Sequence, residues 1–200
     1  MPFISNGTTI LNNGAFSVSL GSMVLLQTQT LSGNSSISFT SNIDSTYPIY
    51  KFEFINVHPA NNDITFQFQC DTGTNTNYNQ TITSSAFRAT LGENDSSPAL
   101  SILSSADQAN GTGYQLLAGS VGNDADQGLS GDLYIYNPSS STFVKHFIAN
   151  VNSSAHSDRT NLNVTAGYIN TATAITRFDF KFSSGNVDAG LIKLYGIKGS

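Results

Sequence analysis

Arg177-Phe-Asp-Phe-Lys-Phe182 places an aromatic ring at every second position and a charge between the rings. A repeat of two is the repeat of a β-strand, whose successive side chains point to opposite faces. The run therefore predicts a strand with Phe178, Phe180 and Phe182 in the core and Arg177, Asp179 and Lys181 outside. Ile64-Thr-Phe-Gln-Phe-Gln-Cys70 alternates in the same way, and so does Tyr50-Lys-Phe-Glu-Phe54. Residues 131–137, 143–151, 162–170 and 191–197 are rich in β-branched or aromatic side chains and predict further strands. In the second of these, His146 is expected to point outward beside Lys145 or to pack at an interface. Clusters of Gly, Asn, Ser and Asp lie between the strands and read as turns, because Gly and Asn accept positive φ. Only residues 99–109 have a helical character, and that stretch is short.

Many short strands at regular spacing predict an all-β fold, an antiparallel β-sandwich of jelly-roll type. The 200 residues fit one generous domain, and no linker divides them. Residues 1–43 contain no charged side chain, the first being Asp44. They are expected to form an uncharged N-terminal arm or strand pair of the same unit, with the sandwich over 44–200. A solvated arm would carry charge. The apolar side chains Phe3, Ile4, Ile10, Leu11, Val24, Leu25 and Leu26 are thus candidate contacts, either with the chain's own sandwich or with a partner.

Charged residues make up only 10% of the chain, where an ordinary soluble protein has roughly 25%. Their place is taken by 28 Ser, 20 Thr and 21 Asn. The 13 Phe and 8 Tyr argue against disorder. Eight Lys and Arg at a net charge of −5 cannot neutralise a phosphate backbone, so nucleic acid is not an expected partner. No stretch is apolar enough to span a bilayer and no signal peptide is visible, so no membrane partner is expected. The single cysteine, Cys70, falls on the inward face with Phe66 and Phe68 and reads as a buried strand residue.

The constellations that could carry chemistry are weak. Asp71-Thr-Gly73 has the three letters of an aspartic-protease site, which needs two carboxylates sharing a proton. No second such triplet occurs, and Asp with Gly is also what a turn needs. Asn123-Asp-Ala-Asp126, with Gly128 and Asp132, is a run of oxygen ligands without the later glutamate of a calcium loop, and reads as an exposed acidic loop. His58, His146 and His156 have no zinc-ligand spacing. No nucleophile elbow is present, and the acidic residues form no evident glycosidase pair. No Trp is present to stack on a sugar, which leaves Tyr47, Tyr50, Tyr78 and Tyr114 for that role. The reading is of a non-enzymatic chain, with no cofactor and no metal.

Two stretches carry a resemblance. Residues 36–59, which contain Ser-Thr-Tyr-Pro-Ile-Tyr-Lys-Phe-Glu-Phe54, resemble a segment of virion structural proteins of marine tailed phages, including cyanophages. The ending Gly190-Leu-Ile-Lys-Leu-Tyr-Gly-Ile197 resembles the closing strand of the same group. The resemblance implies a capsid decoration or cement protein, which would stabilise a shell through subunit contacts. Its expected partners are a major capsid protein or other virion proteins. It would form a homo-oligomer, with a trimer favoured, made in the host cytoplasm and placed on the outer surface of the virion. The alternative is a receptor- or glycan-binding module of a tail or head fibre.

Overall fold

The computed structural model describes the backbone of residues 3–5, 8–12, 15–16 and 22–199, with side chains at Ile4 and from Ser22 onward. Among the described residues three short strands, β1 (Phe3–Ser5), β2 (Thr8–Asn12) and β3 (Ala15–Phe16), pair only with one another. The remaining strands are β4 (Met23–Thr30), β5 (Ile37–Phe39), β6 (Ile49–Pro59), β7 (Ile64–Thr72), β8 (Ile82–Gly92), β9 (Ala99–Ile102) and β10 (Gln108–Gly111). They continue with β11 (Gln115–Val121), β12 (Gly128–Tyr136), β13 (Lys145–Ala155), β14 (Arg159–Ile169), β15 (Ile175–Phe182) and β16 (Val187–Ile197).

Every pairing is antiparallel, and the strands form two layers. A wide layer runs β4-β16-β6-β12-β13-β14-β8, with β9 and β10 both on the far edge of β8. A narrow layer runs β11-β7-β15-β5 and joins the wide one only at the single pair Val121↔Ala155. On the other side, Leu31 and Asn34 bond to β16, which nearly closes the sandwich. The expected all-β sandwich is present, and its strand order is consistent with a jelly roll.

The core follows from the alternation. Phe52 and Phe54 of β6 meet Phe178, Phe180 and Phe66 across the two layers, and Phe68 of β7 meets Phe147 of β13. Cys70 is fully buried among them, and burial pushes its thiol pKa well above the ordinary value. The charge-free segment enters the sandwich directly: β4 and β5 are strands of the main sheet, and Leu31, Ile37, Phe39 and Ile43 are core residues.

Three local expectations are corrected. Residues 99–109 are not helical. They form β9, a turn and β10, because the free edge of β8 offers a ladder and the Asp107 carboxylate accepts from the Ala86 amide. Lys145 does not sit outside with His146. Alternation along β13 puts it on the inner face with Phe147, where its ammonium donates to the Phe143 and Thr171 carbonyls at 2.9 and 2.8 Å. Asp179 is buried rather than solvated. It does face away from the aromatic core, but the Tyr114 and Ser38 hydroxyls both donate to it. Beside it, Gln69 donates to the carbonyls of Gln80, Thr112 and Gly113, so chain covers this part of the narrow layer's outer face.

Candidate functional site

The wide layer is wider than its partner. Its end strands β14, β8 and β9 continue beyond β13, the strand that β11 joins, and form a wing that touches β11 through Thr165 and Ser84. Polarity is inverted along this wing. On β14, Asn161, Asn163 and Thr165 are buried inside, while Leu162 is exposed on the outer face with Val164 and Ala166. A core-facing strand has the opposite arrangement.

Register assembles the outward side chains into one patch. Ile102, Phe87 and Val164 form one row across three strands. Leu100, Ala89 and Leu162 form the next row. Ile148 of β13 and Leu91 of β8 extend the patch. Leu100 and Ile102 are 74% and 73% exposed, and Phe87, Leu91, Ile148 and Leu162 are between 41% and 44%. These six side chains together show on the order of 600 Å² of surface, the upper end of the largest apolar patch on an ordinary monomer. None of the residues in these rows is charged. The other half of the same outer face, over β6 and β12, carries Lys51 against Glu53 and Asp132 at 3.2 and 3.9 Å. The contrast along one sheet is between a solvated half and an associating half. The edge of β9 lies at the margin of the apolar half, with its outward ladder groups unpaired among the described residues, which adds to the tendency to associate.

The predicted contact residues are divided. Ile4 and Leu25 are exposed, Val24 is half-buried, and Leu26 packs on the core. The side chains of Phe3, Ile10 and Leu11 lie outside the described residues; their backbones belong to β1 and β2. The wing patch was not anticipated from the sequence. Its one available signal was the alternation Leu-Asn-Val-Thr over 162–165, which shows period two but not which face is inward.

Asp71 and Thr72 end β7, and Gly73 opens the turn that follows. The buried Asp71 carboxylate accepts from the amides of Thr72 and Tyr78 and from the Gln80 side chain, so it organises its own loop. The oxygen ligands of 123–132 do not converge, since Asp132 faces Lys51 on β12. Among the described residues no three His, Cys, Asp or Glu side chains gather at a metal-sized site. Tyr50 is buried with Tyr47 against it, and Tyr114 is tied to Asp179, so neither Tyr50 nor Tyr114 is a free stacking platform. His146 is exposed and packs edge-on against Tyr168.

His58 is the most constrained of the three histidines. Its Nδ1 is 2.7 Å from the Asp188 carboxylate and its Nε2 is 3.1 Å from the Asp124 carbonyl. A His–Asp pair can orient a general base. Here the nitrogen that would take the proton already faces a carbonyl. Both partners are acceptors, so only the doubly protonated ring satisfies both. Burial by itself would lower the pKa. The hydrogen bonds to Asp188 and Asp124 outweigh it and raise the pKa above the ordinary histidine value. A raised folded pKa adds stability below the unfolded pKa, and that stability is lost as pH rises through the folded value. The destabilisation caused by His58→Gln is therefore expected to be larger at about pH 5.5 than at about pH 8.5. Thermal melts of both proteins at the two pH values check this. An equal loss at both would show that the fold does not raise the pKa of the ring.

Comparison of the chain with protein-family models, curated proteins and solved structures gives no match.

Proposed function

We propose that the chain is a non-enzymatic structural protein that works in many copies on the outside of a phage particle, as a decoration or cement protein. The observation that supports assembly in many copies is the uncharged apolar patch on the outer face of β14, β8 and β9; the phage particle follows from the resemblance of residues 36–59 and 190–197 to virion structural proteins. Copies of the chain meet through this face and form the homo-oligomer, expected to be a trimer, that sits on the shell. The patch is close in scale to the roughly 800 Å² that each partner buries in a stable interface. The Ser, Thr and Asn surface elsewhere suits a crowded array, in which charge repulsion between neighbouring copies would be costly.

Electron cryomicroscopy of particles carrying this chain tests the reading. Many copies arrayed over the shell support it. A few copies confined to a tail or fibre tip contradict it, and would move the assignment to a fibre-borne, glycan-binding module.

A further inference from the structure

The inner face of the wing carries chemistry opposite to that of the outer face. Beyond the edge of β11, a groove of about 350 Å³ lies between the wing and the turn that follows β13. Arg88, Thr90, Ser101, Ser120, His156 and Arg159 line it. The chain has three arginines, and two of them are here. Among the described residues neither Arg88 nor Arg159 pairs with a carboxylate within 4.0 Å, and the Nε of Arg88 is buried without an acceptor. A guanidinium held partly out of water without a counter-charge is costly, and an arriving anion offsets that cost. His156 is held in place through Nδ1, which lies 3.1 Å from Asp63.

The surroundings narrow the ligand class. Glu93 and Asp158 border the adjoining recess with Arg159, so the excess positive charge is concentrated at Arg88. Ser101 lies directly beside Arg88 in the β8–β9 register, and Thr90 and Ala99 form the next pair. The groove has no Phe, Tyr or Trp on which bases could stack, and the whole chain is acidic, which disfavours an extended nucleic acid. Hydroxyls around a guanidinium suit a polyhydroxylated molecule bearing one oxyanion, which arginine grips with two parallel hydrogen bonds.

We propose that this groove binds the acidic group of a carbohydrate, a sugar carboxylate or phosphate, with the two terminal nitrogens of Arg88 as the forked donor and Thr90, Ser101 and Ser120 taking neighbouring hydroxyls. The site stands whether or not the outer face of the wing carries assembly.

Titration calorimetry of the full chain with trigalacturonic acid, mannose 6-phosphate and the neutral maltotriose tests it. At least one acidic probe is expected to bind, more weakly as salt rises, and maltotriose is not. Whichever acidic probe binds identifies the oxyanion. Arg88→Gln is expected to weaken that binding at least about tenfold, as loss of a charged hydrogen-bonding partner does. Because Arg88 is half-buried, Ser101→Asp serves as a second variant. It places a carboxylate beside Arg88 from an exposed position and is expected to weaken binding similarly with no loss of thermal stability. Equal binding of acidic and neutral probes, no binding of either acidic probe at millimolar concentration, or full affinity in Ser101→Asp would overturn the proposal.

Discussion

Phe180→Ala is expected to lower the unfolding free energy by about 4 kcal/mol, the loss typical of a fully buried ring that leaves a cavity. Phe180 is completely buried, and its ring centroid lies 4.9 Å from that of Phe52 and 5.4 Å from that of Phe54. The rings of Phe39, Phe66 and Phe68 complete its surroundings at 6.0, 6.1 and 6.4 Å. Residues from both layers therefore converge on one side chain, and rigid strands cannot move in to fill the gap it leaves. Against a total of roughly 5–15 kcal/mol, such a loss is a large fraction of the stability. It corresponds to a fall of about 10 °C in Tm for a chain of this size. Phe180→Leu keeps most of the volume and is expected to lose less than half as much. Urea unfolding followed by far-ultraviolet circular dichroism measures both. A loss below about 1 kcal/mol in the alanine variant, the level of an average substitution, would mean that the two layers do not meet at this ring.

Gly190→Val is expected to be nearly as damaging, by at least about 3 kcal/mol, for a reason that has nothing to do with the core. Gly190 has a φ of +113°, where residues with a Cβ are strained. A Cβ there would also come within 2.5 Å of the Asn56 carbonyl oxygen and 2.7 Å of the Val57 Cα. Both obstacles are backbone atoms of the neighbouring strand and cannot rotate away. The position lies in an irregularity of the β16–β6 ladder, between the pairs formed by Ala189 and Leu191. Opposite Gly190, β6 carries two residues, Asn56 and Val57, so the ladder bulges two residues away from the Asp188 that pairs with His58. The variant is thus expected to lose the pH-dependent contribution of His58 together with overall stability, and thermal melts at two pH values read both. Gly33, by contrast, has positive φ but open space around its Cα, so Gly33→Val should cost less, the strain alone.

The strands that build the core were legible because their alternation is carried by large aromatic side chains. Phe178, Phe180 and Phe182 point inward as their spacing predicts, and so do Phe66, Phe68, Phe52 and Phe54. Alternation fixes which residues share a face and says nothing about what covers that face. Asp179 has the expected parity, yet it is buried because residues 112–114 lie over the narrow layer and Tyr114 donates to it. For Lys145, charge type was a poor guide to its side of the strand. Two carbonyls at the end of β13 satisfy its ammonium without solvent. The wing was the least legible part. Its apolar face is outward because no third layer of the described residues covers β14, β8 and β9, and the extent of a sheet beyond its partner is a tertiary property that strand periodicity does not encode. The reading of residues 99–109 as helical failed for a related reason. A short stretch of ambiguous period takes the structure that a neighbouring edge offers, and β8 offers an edge.

Sedimentation velocity on the full chain, run across a range of concentrations beside the double substitution Leu100→Asp and Ile102→Asp, tests the assembly claim most directly. Both side chains are among the most exposed on the wing and make no part of the core, so the double variant should melt within a few degrees of the unaltered protein. The account predicts a concentration-dependent oligomer in the unaltered protein and a monomer in the variant at every concentration. An unaltered protein that remains monomeric throughout, or a variant that assembles equally well, would contradict it.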